Sequence, residues 1–280
     1  MNKKNGQEFD LYFGPEVGEG QYWRDLLDYR GLVYFLAWRD ILVRYKQTII
    51  GIAWSILNPL FFMVVLTMIF GRIGKFPTEG NTPYPLLVFS ALLPWQLFSA
   101  AVAQAGKSLV ENNHMVAKIY FPRILLPCSS IAVCLVDFAI SFSLLFIMLV
   151  FYQWNPGWYL LALPVFLLFG ILAALSIGIW LSAINVRYRD FQFIVPFCLQ
   201  IGLFISPVGF ASSVVPEQWR LLYSLNPMVG VIDGFRWCLM RGEVNIFIPG
   251  LVISFLVTAF MLWGGILYFR RTERTFADYI

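Results

Sequence analysis

Few residues in this sequence have the types and spacing that catalytic chemistry requires. Gly106, Lys107 and Ser108 resemble the end of a phosphate-binding loop, but the glycine needed five positions earlier is Ala101. The only histidine, His114, lies beside two asparagines, so it has no second histidine for a metal site or a nucleophile–base pair. We therefore expect this chain to bind no metal or cofactor and to catalyse no reaction of its own.

Asp137 is the one carboxylate well inside an apolar run. An ionised carboxylate in hydrocarbon costs several kcal/mol unless it is paired, hydrated or protonated, so Asp137 needs a partner. We expect a structural polar contact or a pore-lining position. Three glutamines, Gln96, Gln104 and Gln200, are further polar groups within apolar runs and either face a wet path or bond between helices.

The composition places these residues in a membrane protein. Hydrophobic residues make up 59% of the 280 residues and charged residues 13%, whereas about a quarter of a soluble domain is charged. A membrane-crossing helix needs about 20 mostly apolar residues. Six stretches meet this requirement: 49–70, 86–105, 124–152, 158–184, 191–210 and 246–269. The sequence predicts an all-α integral membrane protein with six transmembrane helices.

The basic residues give the orientation, because lysine and arginine are retained preferentially on the cytoplasmic side. Fifteen of the twenty lie in the N-terminal tail, the 106–123 and 185–190 loops and the C-terminus. Both termini are therefore expected in the cytoplasm. The polar first 30 residues lack the pattern of a cleaved signal peptide, so we expect the N-terminus to be retained.

Residues 211–245, on the opposite side, are too apolar for an ordinary loop. Pro216, Pro227 and Gly234 interrupt them, which favours a re-entrant hairpin of two short helices between spans five and six. A folded outer cap is the alternative.

An amphipathic helix is predicted before the first span, over residues 31–48. Apolar and aromatic side chains lie on one face at helical spacing: Tyr34, Trp38, Ile41, Leu42 and Tyr45. Arg39 and Lys46 lie opposite, and Asp40 and Arg44 are four residues apart and can pair. This pattern is typical of a helix in the cytoplasmic headgroup layer.

Several motifs in order carry a resemblance to a known family. They are Trp38-Arg39-Asp40, Val43 to Thr48 with Gly51, Trp54 and Pro59, Lys118 to Arg123 with Pro127, Val186 to Asp190, Ser206-Pro207-Val208, and Asn226-Pro227-Met228 with Arg236-Trp237. Together they resemble the permease subunits of type-two ABC exporters of the polysaccharide, O-antigen and polyol-phosphate group. The similarity covers nearly the whole chain after residue 30.

The resemblance implies a homodimer in the bacterial inner membrane, docked to two ATP-binding cassette subunits that bind ATP and Mg²⁺. Its implied cargo is lipid-linked polysaccharide, foremost undecaprenyl-diphosphate-linked O-antigen. Membrane lipids are expected partners and nucleic acid is not. The expected domains are a cytoplasmic tail (1–30), the interface helix (31–48), the transmembrane domain (49–270) and a C-terminal tail (271–280).

Within that picture, four sets of residues are candidates for function. The expected pyrophosphate-binding residues are Arg39, Arg44 and Lys46; the ATPase-coupling residues are Glu111, His114, Lys118, Arg187 and Arg189; the channel-lining residues are Phe61, Trp95, Phe98 and Phe204; and the outer gate is Asp233 with Arg236. The alternatives are lipid anchoring for the cations, ordinary packing for the aromatics and a local salt bridge for the gate pair.

Other functions fit the topology without the motifs. The same architecture serves exporters of capsule, teichoic acid or another lipid or drug. A membrane enzyme acting on polyprenyl phosphates would also need a basic cytoplasmic edge, but the sequence has no catalytic constellation for it. An ion-coupled transporter usually has more intramembrane acids than Asp137 alone.

Overall fold

The computed structural model describes residues 19–46, 49–78, 82–119, 121–242, 244, 246–273 and 276, and these form helices and no strands. The helices are α1 (Glu19–Asp28), α2 (Arg30–Tyr45), α3 (Ile49–Leu66), α4 (Tyr84–Glu111), α5 (Asn113–Lys118), α6 (Leu125–Phe151), α7 (Leu163–Arg187), α8 (Phe191–Ile205), α9 (Glu217–Tyr223), α10 (Pro227–Leu239) and α11 (Ile248–Glu273). A π-helical turn, Thr67–Ile73, continues α3, and a 3₁₀ segment, Gly157–Ala162, leads into α7. The all-α prediction is confirmed.

Five helical segments in the described residues are long and apolar enough to cross a membrane. They are Ala53–Ile73, Tyr84–Glu111, Leu125–Phe151, Gly157–Arg187 and Ile248–Glu273. Each coincides with one of the predicted spans. The second is longer than predicted, since α4 continues through residues 106–111, the first part of the predicted 106–123 loop.

The stretch predicted as the fifth span, 191–210, is helical only as far as Ile205. A helix of 15 residues rises about 22 Å, which is less than the roughly 30 Å of a hydrocarbon core. Pro207 lacks a backbone N–H and cannot continue the hydrogen-bond pattern of the helix. Residues 206–209 are nevertheless buried, so an irregular segment sits inside the protein after α8.

The centre of the bundle is α4. In its most apolar stretch 78% of residues are buried, against 17% in the first candidate span, so α4 is surrounded and α3 lies at the periphery. Small residues let α4 and α7 approach closely, as is common between membrane helices. A Cβ at Gly178 of α7 would lie 2.8 Å from the Cβ of Ala105.

Two short helices, α9 and α10, occupy the apolar segment before the last span. Asn226 caps α10: its Oδ1 accepts from the backbone N–H of Met228, and Pro227 follows at the first helical position. Almost every side chain of α10 is buried, and α10 packs against α4, α7 and α11. By contrast α9 exposes Trp219, Leu221 and Leu222.

A second apolar cluster joins the first and last helices of the described residues. Leu36 of α2, Phe121 before α6, Phe269 of α11 and Phe276 are buried together. The Arg123 guanidinium donates to the backbone oxygen of Glu273 at 2.6 Å. The N-terminal tail predicted over residues 1–30 contains α1, and its first 18 residues lie outside the described part.

Candidate functional site

A cavity of about 540 Å³ lies between α3, α4, α6 and α8, with the end of α2 at one side. A second cavity of about 280 Å³ lies between α3, α4 and α8. Both are lined by Asn58, Gln96, Ser99 and Leu199, so the two cavities adjoin along the helices. Together they form what we call the groove.

The groove carries polar side chains at helical spacing. Ser55 and Asn58 are three residues apart on α3, and Gln96 and Ser99 are three apart on α4, so each pair shares a face. The Ser99 hydroxyl donates to the Gln96 backbone oxygen at 3.2 Å. The amides of Asn58 and Gln96 each supply donors and acceptors, which suit hydroxyl-rich ligands.

Two of the four predicted channel aromatics line the groove. Trp95 and Phe204 border the smaller cavity, and the Trp95 ring also packs against Phe98, whose centroid is 5.5 Å away. Phe98 is buried behind this contact. Phe61 lies on the exposed face of α3, which lipid or a second subunit would have to cover.

The mouth of the larger cavity contains an ion pair that joins distant parts of the chain. Arg44 Nη1 lies 2.5 Å from Asp137 Oδ2, and the Tyr45 hydroxyl donates to Asp137 Oδ1. The Ser55 hydroxyl is 3.4 Å from that same oxygen. We name Arg44, Tyr45, Ser55 and Asp137 the mouth cluster; it connects α2, α3 and α6.

The mouth cluster supplies the partner that Asp137 was expected to need. Ser55 lies near the beginning of the candidate span Ala53–Ile73, so Asp137 is level with the start of that span. Burial, reinforced by the hydrogen bond to Asp137, raises the pKa of Tyr45 to about 12. Tyr45 therefore remains a neutral hydrogen-bond donor at physiological pH.

The three predicted headgroup cations have different surroundings. Arg39 bonds Asp40 at 2.8 Å and the Asn112 side chain at 3.0 Å, whereas Arg44 belongs to the mouth cluster. Lys46 is exposed at the end of α2. The expected pairing of Asp40 with Arg44 gives way to pairs with Arg39 and Asp137, because α2 packs along α6 and brings Arg44 to the carboxylate.

The predicted coupling residues lie around the C-terminal end of α4, next to the Asn112 that Arg39 contacts. Glu111 and Arg189 line a cleft of about 30 Å³ with Lys107, and buried Asn185 donates to the Gly106 backbone oxygen at 2.6 Å. The cleft brings together two of the five predicted residues. The other three are exposed: His114 and Lys118 on α5, and Arg187, whose guanidinium lies over the Tyr188 ring.

The phosphate-loop resemblance at Gly106 has no structural basis. Residues 106–108 lie in the interior of α4, where the backbone N–H groups bond within the helix and cannot cradle a phosphate. Among the described residues, no three His, Cys, Asp or Glu side chains lie close enough to hold a metal ion.

The predicted outer gate residues hold the irregular segment after α8. Arg236 is fully buried and donates to the backbone oxygens of Phe210 at 2.8 Å and Val208 at 3.1 Å. Asp233 accepts from the Ser212 hydroxyl at 2.6 Å. These contacts fix the chain between α8 and α10.

The residues that sequence reasoning missed are Ser55, Asn58 and Ser99. Each is a single polar residue in an apolar run, and such residues commonly bond within their own helix. The available signal was a three-residue spacing in each of two apolar runs, between Ser55 and Asn58 and between Gln96 and Ser99. Only the packing of α3 against α4 shows that the two polar faces meet.

Comparison with known proteins gives the class to which this fold and groove belong. The family model for the ABC-2 type transporter membrane region matches residues 31–240, and the chain belongs to that family. It is therefore a multi-pass membrane permease.

Two known permeases are similar to this chain over most of their length. The chain is 30% identical over 260 residues to the O-antigen export system permease protein RfbA of Myxococcus xanthus, covering 92% of this chain and 98% of that protein. It is 25% identical over 247 residues to the RfbA permease of Klebsiella pneumoniae, covering 86% and 91%.

Proposed function

We propose that this chain is the transmembrane permease of an ATP-driven exporter that moves lipid-linked polysaccharide, foremost undecaprenyl-diphosphate-linked O-antigen, across the bacterial inner membrane. The permease class follows from the family match, and the cargo is supported by the names of the two full-length relatives. The observation that carries the proposal is the groove, whose polar stripe lies inside an apolar bundle.

The groove suits a glycan attached to a lipid diphosphate. Amides and hydroxyls on α3 and α4 match sugar hydroxyls, and aromatic rings such as Trp95 and Phe204 stack on the apolar faces of sugars. The cationic end at Arg44, with Arg39 and Lys46 nearby in sequence, suits the diphosphate, because guanidinium donors match phosphate oxygens. The lipid tail stays outside, in the membrane.

Energy for transport comes from two ATP-binding cassette subunits that dock on the cytoplasmic side and hold ATP and Mg²⁺. The cleft containing Glu111 and Arg189, with the exposed side chains of His114, Lys118 and Arg187, is the docking surface. Two copies of this chain form the complete conduit, which would cover the exposed apolar face of α3. This chain itself is not an enzyme.

Both termini lie in the cytoplasm in this proposal, as the distribution of basic residues favours. The short helix α8 with the buried segment after it serves as the fifth of the six crossings. The helices α9 and α10 form the re-entrant hairpin at the outer end, with Asp233 and Arg236 holding it closed, and α2 is the interface helix.

A pair of matched serine variants tests whether cargo passes along the groove. The hydroxyls of Ser99 and Ser143 both donate to the backbone oxygen three residues earlier, but Ser99 lines both cavities and Ser143 is exposed on α6. Ser99→Leu adds bulk where the cavities adjoin and should reduce surface O-antigen at least tenfold, while the lipid-linked glycan accumulates in the cytoplasmic leaflet. Ser143→Leu should export normally.

The result requires equal membrane levels of the two variants, measured by immunoblot. Equal export by both variants would show that the groove is not the cargo path. Accumulation of a capsule or teichoic acid precursor on depletion of this chain would support its role as a permease but identify a different cargo.

A further inference from the structure

Asp137 is the feature that the proposed function leaves unused. Its carboxylate accepts from Tyr45 and Ser55 and pairs with Arg44, the cation best placed at the groove. These partners come from two helices, α2 and α3, so the side chain on α6 is held at one point of the cavity wall. The arrangement is an anion bound by one guanidinium and two hydroxyls.

The same donors would suit a phosphate group. Guanidinium and hydroxyl donors bind phosphate oxygens as readily as carboxylate oxygens, and charge-assisted bonds from arginine are the stronger ones. In this structure the Asp137 carboxylate occupies the position at which such an anion would meet Arg44. A phosphate and Asp137 would compete for Arg44, since two anions held close together repel each other.

The pair is open enough to exchange partners. The Arg44 side chain is 40% exposed and the Asp137 side chain 28%, and both line the larger cavity. A partly exposed ion pair is weak because water competes for both charges. An incoming anion can therefore reach Arg44 without unfolding any helix.

We propose that Asp137 is a built-in competitor of the cargo headgroup, holding Arg44 until the phosphate of a lipid diphosphate displaces it. This inference rests on the proposed function, because it takes the groove as the cargo path. While the ion pair is closed, Asp137 occupies the Arg44 guanidinium, so the headgroups of abundant phospholipids do not bind to it. A ligand that binds strongly enough opens the pair and separates the end of α2 from α6.

The apparent affinity of a site is lowered by the fraction of time that it is competent to bind. Replacing Asp137 with asparagine keeps the shape of the side chain and removes the competing charge. If the open state makes up about a tenth of wild-type molecules, Asp137→Asn should bind phosphate ligands about tenfold more tightly. Arg44→Gln should weaken binding, and the double variant should bind no better than Arg44→Gln.

The test is isothermal titration calorimetry of the full-length chain in nanodiscs of zwitterionic lipid. The probes are a short-chain polyprenyl diphosphate, the matching monophosphate and inorganic pyrophosphate. Tighter binding of the lipid probes alone identifies a lipid headgroup as the ligand, and tighter binding of all three identifies the phosphate group. Glu217→Gln is the matched control: it removes the acid of an outer ion pair, 3.9 Å from Arg220, and should leave every affinity unchanged.

Unchanged or weaker binding by Asp137→Asn, with wild-type binding intact, would overturn this inference and leave the proposed function standing. In that case the ion pair serves to stabilise the packing of α2 against α6, and the midpoint of thermal unfolding of Asp137→Asn should fall instead. Failure of the wild-type chain to bind any lipid phosphate would count against the headgroup site of the proposed function itself.

Discussion

At the scale of single residues, the break after α8 shows how an irregular backbone is tolerated inside an apolar bundle. Its carbonyl groups find donors from other helices: Tyr223 bonds Ile205, Arg236 bonds Val208 and Phe210, and Tyr84 bonds Gly209 at 2.6 Å. Without water, each carbonyl left unpaired would be costly. Arg236 is therefore best understood first as the donor that fixes this segment.

Replacing Arg236 with methionine should destabilise the protein strongly. Each buried carbonyl that loses its partner costs about 1–3 kcal/mol, and Arg236 serves two of them at close range. Thermal unfolding of the purified chain should show a midpoint several degrees lower.

Arg220 is the matched control for this measurement. It also donates to two backbone oxygens, those of Val215 and Ser213, but it is partly exposed and water can replace it. Arg220→Met should shift the midpoint far less. An Arg236→Met variant with the wild-type midpoint but impaired export would instead support a gating role without structural anchoring.

At the scale of elements, the contact between α4 and α7 is the most extensive between helices in the described part of the bundle. The helices approach closely because small residues face each other, including Gly178 and Ala105. On the side of α4 away from α7, its polar residues Gln96 and Ser99 line the groove beside α3. The shape of the groove thus depends on how closely α7 packs against the opposite side of α4.

Gly178→Ala should therefore destabilise the bundle, since its new Cβ would lie 2.8 Å from the Cβ of Ala105 and the helices would have to move apart. The fraction of chain that elutes as a folded species in detergent, and its thermal midpoint, should both fall. Gly31→Ala in α2 is the control: no atom lies within 4 Å of its Cβ position. Because alanine favours helix over glycine by about 1 kcal/mol, Gly31→Ala should be neutral or stabilising. Equal effects of the two substitutions would contradict the packing argument.

The same scale shows what the sequence can and cannot predict. Long apolar runs predicted six spans, and five of them coincide with long apolar helices, because a helix that satisfies its own backbone hydrogen bonds is the simplest way across hydrocarbon. The run 191–210 was equally apolar, yet its helix ends at Ile205, since donors contributed by α4, α9 and α10 allow the chain to bend at Pro207. Such donors are distant in sequence, and no local pattern reveals them.

At the scale of the whole molecule, the site was predictable only in part. Trp95, Phe204 and Arg44 were chosen from residue type and lie at the groove, whereas Asn58 and Ser99 required the packed structure. The sequence shows that Asp137 needs a partner. It does not show that Arg44, 93 residues away, supplies the positive charge. Pairings over such separations come from tertiary packing.

The central claim is that this chain is a conduit driven by ATP hydrolysis in a separate subunit. The direct measurement is translocation of a radiolabelled lipid-linked polysaccharide into the lumen of vesicles that contain this chain with or without its ATP-binding partner. We predict translocation only with the partner and hydrolysable ATP. Translocation by this chain alone, or translocation driven by a proton gradient without ATP, would contradict the account.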